Sequence, residues 1–88
     1  MEETYTPETV EDCLKIIDKL LPEDQKEEIK TMELFDFKTA AHFGLGMWIR
    51  NNLGAWNLDS PLVKNTGMSG DMLSSFILEA YHTHLTQA

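Results

Sequence analysis

The chain is short of cysteine, arginine, proline and long apolar runs, and each shortage removes a class of protein. A single thiol, Cys13, forbids an intrachain disulfide and any site built from two thiolates. Set among apolar neighbours, it reads as a small buried hydrophobe rather than a reactive group. No stretch approaches the roughly 18 to 20 apolar residues that cross a bilayer. Met1-Glu2-Glu3-Thr4 has neither the positive charge nor the apolar continuation of a signal peptide, so a cytoplasmic protein is expected. A chain of 88 residues buries about 60 to 65% of the surface its unfolded form exposes, which leaves room for one core. Residues 1–88 are therefore expected to form one domain, with residues 1–5 flexible.

What is present is an uneven charge. Residues 1–36 hold twelve acids against four lysines, a balance of −8, whereas residues 37–88 hold three acids and three bases. A surface of that sign repels phosphate backbones, so nucleic acid is not an expected partner. The front half reads either as a solvated helical face or as a surface for a basic protein.

Periodicity makes the chain all-α, a compact single-domain bundle of four to five helices around a central glycine-containing helix. Thr6-Pro7 places a capping hydroxyl before a proline whose φ suits a first helical turn. Val10, Cys13, Leu14, Ile17 and Leu21 follow at helical spacing, and Pro22 ends that helix. Pro22-Glu23-Asp24 opens a second helix, thin in apolar residues and expected on the surface, that runs to about residue 31. After an apolar connector, Asp36 is the expected N-cap of the central helix. There Ala41, Leu45, Trp48 and Ile49 share one face around Asn52, and Phe43, Met47 and Arg50 share another. Gly44 and Gly46 each cost about 1 kcal/mol relative to alanine in such a helix, which close approach of a neighbouring backbone would offset. Gly54 is suited to end this helix, with Trp56 folding back on its last turn. Ser60-Pro61 opens a short helix over about 62–65 that Gly67 stops. A last helix begins near Ser69 or Gly70, with Leu73, Phe76, Ile77, Ala80 and Tyr81 on one face and His84 continuing it. No window alternates as a strand does.

Arg50 is the only arginine in the chain and the only formally charged residue between Thr39 and Leu58, histidines aside. Its planar fork of donors needs a carboxylate or a phosphate. Asp71 is the preferred internal partner over Asp59 and Glu79, which would make a structural clamp. The alternative is an anionic ligand. Asn52 has the same two readings, as a cap for the loop that follows or as a ligand contact. His82 and His84 diverge by about 200° on one helix and cannot chelate one ion from that frame, and His42 meets His84 only through tertiary packing, so core histidines are expected. Metals and cofactors are not expected. The serines at 60, 69, 74 and 75 lack a nucleophile elbow, and Ser60 and Ser69 are assigned to capping.

The segment His42-Phe43-Gly44-Leu45-Gly46-Met47-Trp48-Ile49-Arg50-Asn51-Asn52, followed by Gly54 and Trp56, resembles a family of small uncharacterised bacterial proteins grouped as a domain of unknown function. Asp71-Met72, Ser74, Ser75, Ile77, Leu78, Tyr81, His82, His84 and Leu85 resemble its second hallmark, and the likeness spans about residues 10–86. Leu53 stands where that pattern commonly has tryptophan, and Gly70 where it commonly has an acid. The first departure is expected to thin an aromatic surface and the second to weaken the cap of the last helix. The resemblance implies a fold and a site location without an activity.

With no catalytic set, the leading reading is a small acidic interaction module, inhibitor- or accessory-like. Its docking surface is expected on the first two helices or in a groove beside Trp48, Trp56 and Arg50, and one version blocks a nucleic-acid-binding protein. The rival is an anion-binding or catalytic pocket lined by His42, Arg50, Asn51, Asn52, Asp71 and His84.

Overall fold

The computed structural model describes residues 5–87. Among them are six helices and no strand: α1 (Val10–Leu20), α2 (Glu23–Lys30), α3 (Leu34–Ala41), α4 (Leu45–Asn52), α5 (Pro61–Thr66) and α6 (Gly70–Thr86). No helix among the described residues is long and apolar enough to cross a membrane. The all-α expectation stands, but the helices number six because the expected central helix is two. Its chain breaks at His42, Phe43 and Gly44, where Gly44 leaves helical geometry at φ −102° and ψ −97°.

The hub is α6 instead, which packs against α1, α2, α3 and α4. Leu73, Ser74, Ile77, Leu78, Tyr81 and Leu85 form its buried stripe. Phe76 and His84, expected on that stripe, are exposed, because the stripe is turned to bring Ser74 inward. Helix α4 is turned in the same sense. Gly46, Ile49, Arg50 and Leu53 face the core, whereas Met47, Asn51 and Asn52 face solvent.

Helix boundaries follow local chemistry. Thr9, not Thr6, caps α1: its hydroxyl accepts from Asp12 N at 3.1 Å, and the Asp12 carboxylate reaches back past the cap to accept from Glu8 N at 3.1 Å. Cys13 and Ile17 are fully buried, as their spacing predicts. Pro22 takes the N-cap position of α2, whose only buried residue is Ile29. Glu33, not Asp36, precedes α3, and Asp36 falls in its first turn. Ser60 caps α5 through Val63 N at 3.3 Å, and Gly67 ends it in the left-handed region at φ +72°. Ser69 occupies the N-cap position of α6 without a side-chain bond. Tyr5, expected in a flexible leader, sets its ring edge-on to Trp48 at 5.6 Å; the rest of that leader, residues 1–4, lies outside the described residues.

Candidate functional site

Arg50 is 7% exposed and all three of its guanidinium nitrogens are engaged. Nη1 donates to the Ser74 hydroxyl at 3.1 Å, Nη2 donates to the His42 carbonyl at 3.1 Å, and Nε lies 3.3 Å from an Asp71 carboxylate oxygen. One side chain on α4 thereby holds the end of α3 and the first turns of α6. Ser74 is itself fixed, donating to the Asp71 carbonyl at 3.1 Å. The preference for Asp71 is met, and the geometry is that of a clamp. Ser74, dismissed as a nucleophile, is the partner that sequence reasoning missed. Its signal was a hydroxyl one turn beyond Asp71, beside Leu73 and at helical spacing from Ile77 and Leu78.

The clamp also explains one of the two glycines. A Cβ on Gly46 would lie 3.1 Å from the Ala41 carbonyl oxygen, 3.3 Å from Arg50 Nη1 and 3.4 Å from Leu78. The small residue admits the guanidinium and the end of α3 together. Around Gly44 there is open space, so close approach does not account for it; its place is the break itself.

The other sequence candidates disperse. Asn51 is exposed, and Asn52 is exposed with Nδ2 donating to the Trp48 carbonyl at 2.9 Å, one turn back within α4 rather than across the loop. Trp48 is half-buried against Tyr5. Trp56, 59% exposed, lies over Gly70 rather than the last turn of α4. A Cβ on Gly70 would sit 2.7 Å from that indole, and Gly70 is left-handed at φ +58°, with its N–H donating to the Ala55 carbonyl at 2.8 Å. An acid at this position would therefore clash and be strained. Leu53 is buried in the core, so its departure from the resembled pattern thins no surface.

The histidines also separate. His82 is half-buried, stacked on Phe37 at 5.7 Å, with Nε2 2.7 Å from the Met32 carbonyl oxygen. His84 is exposed over Tyr81 and lines a hollow with Glu11, Leu14, Lys15 and Asp18, so it is not the core histidine its spacing suggested. His42 is half-buried beside Phe43 and lines a different recess. Among the described residues no three His, Cys, Asp or Glu side chains are placed to hold a metal ion.

That recess is a groove of about 510 Å³ between α3 and α6, lined by Leu34, Phe35, Lys38, Thr39, His42, Phe43 and Ser75. Phe35 and Phe43 are each 77% exposed. Lys38 bridges the two helices to Glu79 at 3.6 Å. On α6, Met72 and Phe76 share the outward face with Ser75, since residues three and four apart lie together, and both are exposed.

A second polar cluster joins α1, α2 and α6. Lys26 lies 3.2 Å from Asp18, whose other neighbour is the buried Tyr81, donating its hydroxyl at 3.2 Å. Burial pushes the Asp18 carboxyl up, but the hydrogen bond and charge of Lys26, helped by the Tyr81 hydroxyl, hold it below the usual carboxylate range. For Lys26, burial works against the charge, and Asp18 more than compensates, so the ammonium sits above its ordinary range. Burial and then the Asp18 charge raise the Tyr81 phenol. Burial and then Asp12 push the Cys13 thiol up to about 12, which makes it inert near neutral pH.

The match to a family model extends over nearly all of these elements, from residue 6 to residue 85. The chain belongs to the family described as a domain of unknown function (DUF6794). No curated protein and no solved structure matches it.

Proposed function

We propose that this protein is a small acidic interaction module, inhibitor- or accessory-like, whose docking face is the groove between α3 and α6. The observation that carries this reading is the pair Phe35 and Phe43, two aromatic rings that line one groove and are each 77% exposed. Water contact with such rings opposes folding and solubility, and contiguous apolar patches of this kind mark interaction sites. Met72 and Phe76 extend the apolar surface along α6. Of the residues singled out from sequence, His42 lines the groove, and Arg50 supports it from below by holding the break between α3 and α4.

The test compares proteins retained from cells by the full chain with those retained by a Phe35→Ser/Phe43→Ser double variant, folding being checked by circular dichroism. The expected result is a partner whose recovery falls at least tenfold in the variant. Equal recovery by both chains would refute the docking face.

The alternative, an anion-binding or catalytic pocket at Arg50 and His42, has less support because every Arg50 nitrogen has an internal partner. Thermal unfolding with phosphate and small carboxylates should show no stabilisation that depends on Arg50. A shift lost in Arg50→Lys would favour the pocket.

A further inference from the structure

The sequence carries one helical stripe from Phe37 through Ala41, Leu45, Trp48 and Ile49, yet the folded chain interrupts it at residues 42–44. We infer that this break is a hinge through which two copies of the chain exchange their α4–α6 halves, residues 34–52 then running as one helix. His42 keeps helical dihedrals at φ −53° and ψ −46°, so the departure begins after it, and Gly44 completes it at φ −102° and ψ −97°. Nothing lies within 4 Å of a Cβ built on Gly44, so no packing holds the chain in place there.

The two helix ends at the break are suited to rejoin. Helix α4 has no side-chain cap for its first N–H groups, and the carbonyls that precede it have turned to other donors: Ala41 O accepts from Gly44 N at 3.1 Å, and His42 O accepts from Arg50 Nη2 at 3.1 Å. A continuous helix pairs those N–H groups with those carbonyls. The bond from Trp48 N to Gly44 O, at 3.0 Å, already has helical spacing and survives. Of the three partners of Arg50 only the His42 carbonyl lies across the hinge, because Ser74 and Asp71 travel with it.

Straightening leaves a single chain without its core. A helix over residues 34–52 spans about 28 Å and carries α6 away from α1, α2 and α3, stripping the cover from Cys13, Ile17, Ile29 and Phe37. A second copy restores it. Its α6 takes the same seat on the same three helices, so every contact outside the hinge is regained and no new surface is needed. Short hinge loops invite such exchange. The consequence reaches the α3–α6 groove whatever its role: Leu34, Phe35, Lys38 and Thr39 precede the hinge and Ser75 follows it, so each groove of the exchanged form is built from two chains.

The experiment refolds the full chain from urea at high protein concentration, in salt that screens the net charge of −8 on each copy, and separates monomer from dimer by sedimentation. Exchange is read in a Lys38→Cys/Glu79→Cys chain, whose parent side chains meet at 3.6 Å between α3 and α6, treated with a short bismaleimide. Cys13 is fully buried and does not compete. Expected are a monomer linked only within itself and a dimer whose chains are linked to each other. Gly44→Ala favours the continuous helix in both copies and should lower the dimer dissociation constant at least tenfold, whereas two glycines inserted after Gly44 should abolish the dimer. A chain monomeric both with and without Gly44→Ala would overturn the hinge, as would a dimer linked only within its chains or one indifferent to both changes. Should Gly44→Ala fail to fold, the native chain and the insertion decide by the same cross-link.

Discussion

Helix α6 is tied to its neighbours by two ionic clusters that differ in what else the cation holds: Arg50 reaches two neutral oxygens besides its carboxylate, and Lys26 reaches two carboxylates. Arg50 is inside, with Ser74, the His42 carbonyl and Asp71 around a guanidinium that is 7% exposed. Lys26 and Asp18 are bridged at 3.2 Å with side chains 13% and 44% exposed, while Asp71, the carboxylate of the first cluster, is 70% exposed. In the first cluster Nη1 and Nη2 have exchanged water for the Ser74 hydroxyl and the His42 carbonyl, so loss of Ser74 strands a donor of a buried guanidinium, whereas Asp71 still meets water. In the second, water reaches Asp18, so salt screens its pairing with Lys26 more readily. The number of ion pairs therefore says little about what holds this bundle together; the neutral partners of the buried cation say more.

The largest effect should come from Arg50→Met, which keeps length and apolar bulk but removes three interactions. Urea unfolding is expected to show a loss of about 3 kcal/mol, and a loss near zero would place the Arg50 cluster on a par with the Lys26 one. Gly70→Ala attacks the same cluster from the neighbouring turn, forcing a Cβ against Trp56 at a left-handed position just before Asp71. About 2 kcal/mol is expected by the same measurement. Ser74→Ala leaves Arg50 Nη1 without its hydroxyl partner and should cost about 1.5 kcal/mol, with little dependence on ionic strength.

Asp18→Asn should have the smallest effect, and its sign with pH sharpens the contrast. Because the folded carboxyl lies below its unfolded range, its contribution is present above a pH of about 4 and is lost as pH falls through the folded value. The difference between wild type and Asp18→Asn should therefore shrink on acidification below that point. It should also shrink in 1 M salt at neutral pH. A difference that persists under both conditions would mean that the Lys26 cluster is shielded as the Arg50 guanidinium is.

Much of this architecture is legible in the residues. Apolar spacing marks α1, Ser60-Pro61 marks α5, and the isolation of Arg50 among uncharged residues marks it for an internal carboxylate or an anion, with Asp71 preferred among three acids. What periodicity misses is the direction of the faces on α4 and α6. Both faces of the central segment read as packed, so Arg50 is expected inside, as it is; a wheel that sorts by apolarity passes over Ser74, which turns inward to meet it. Asn52 and Phe76 then fall outside for the same reason. The break at His42–Gly44 was missed because glycine inside an apolar pattern reads equally as a helix with a close neighbour. The groove depended on that break, so Phe35 and Phe43 looked like connector and core.

The indole of Trp56 gives the molecule its own optical gauge. It rests on the Cα of Gly70 while most of its surface meets water, and the chain's other tryptophan, Trp48, is more sheltered beside Tyr5. A soluble quencher reaching Trp56 first reads the seat of the last helix separately from the rest of the fold, so loosening around Asp71 and Ser74 can be followed by fluorescence without adding a label.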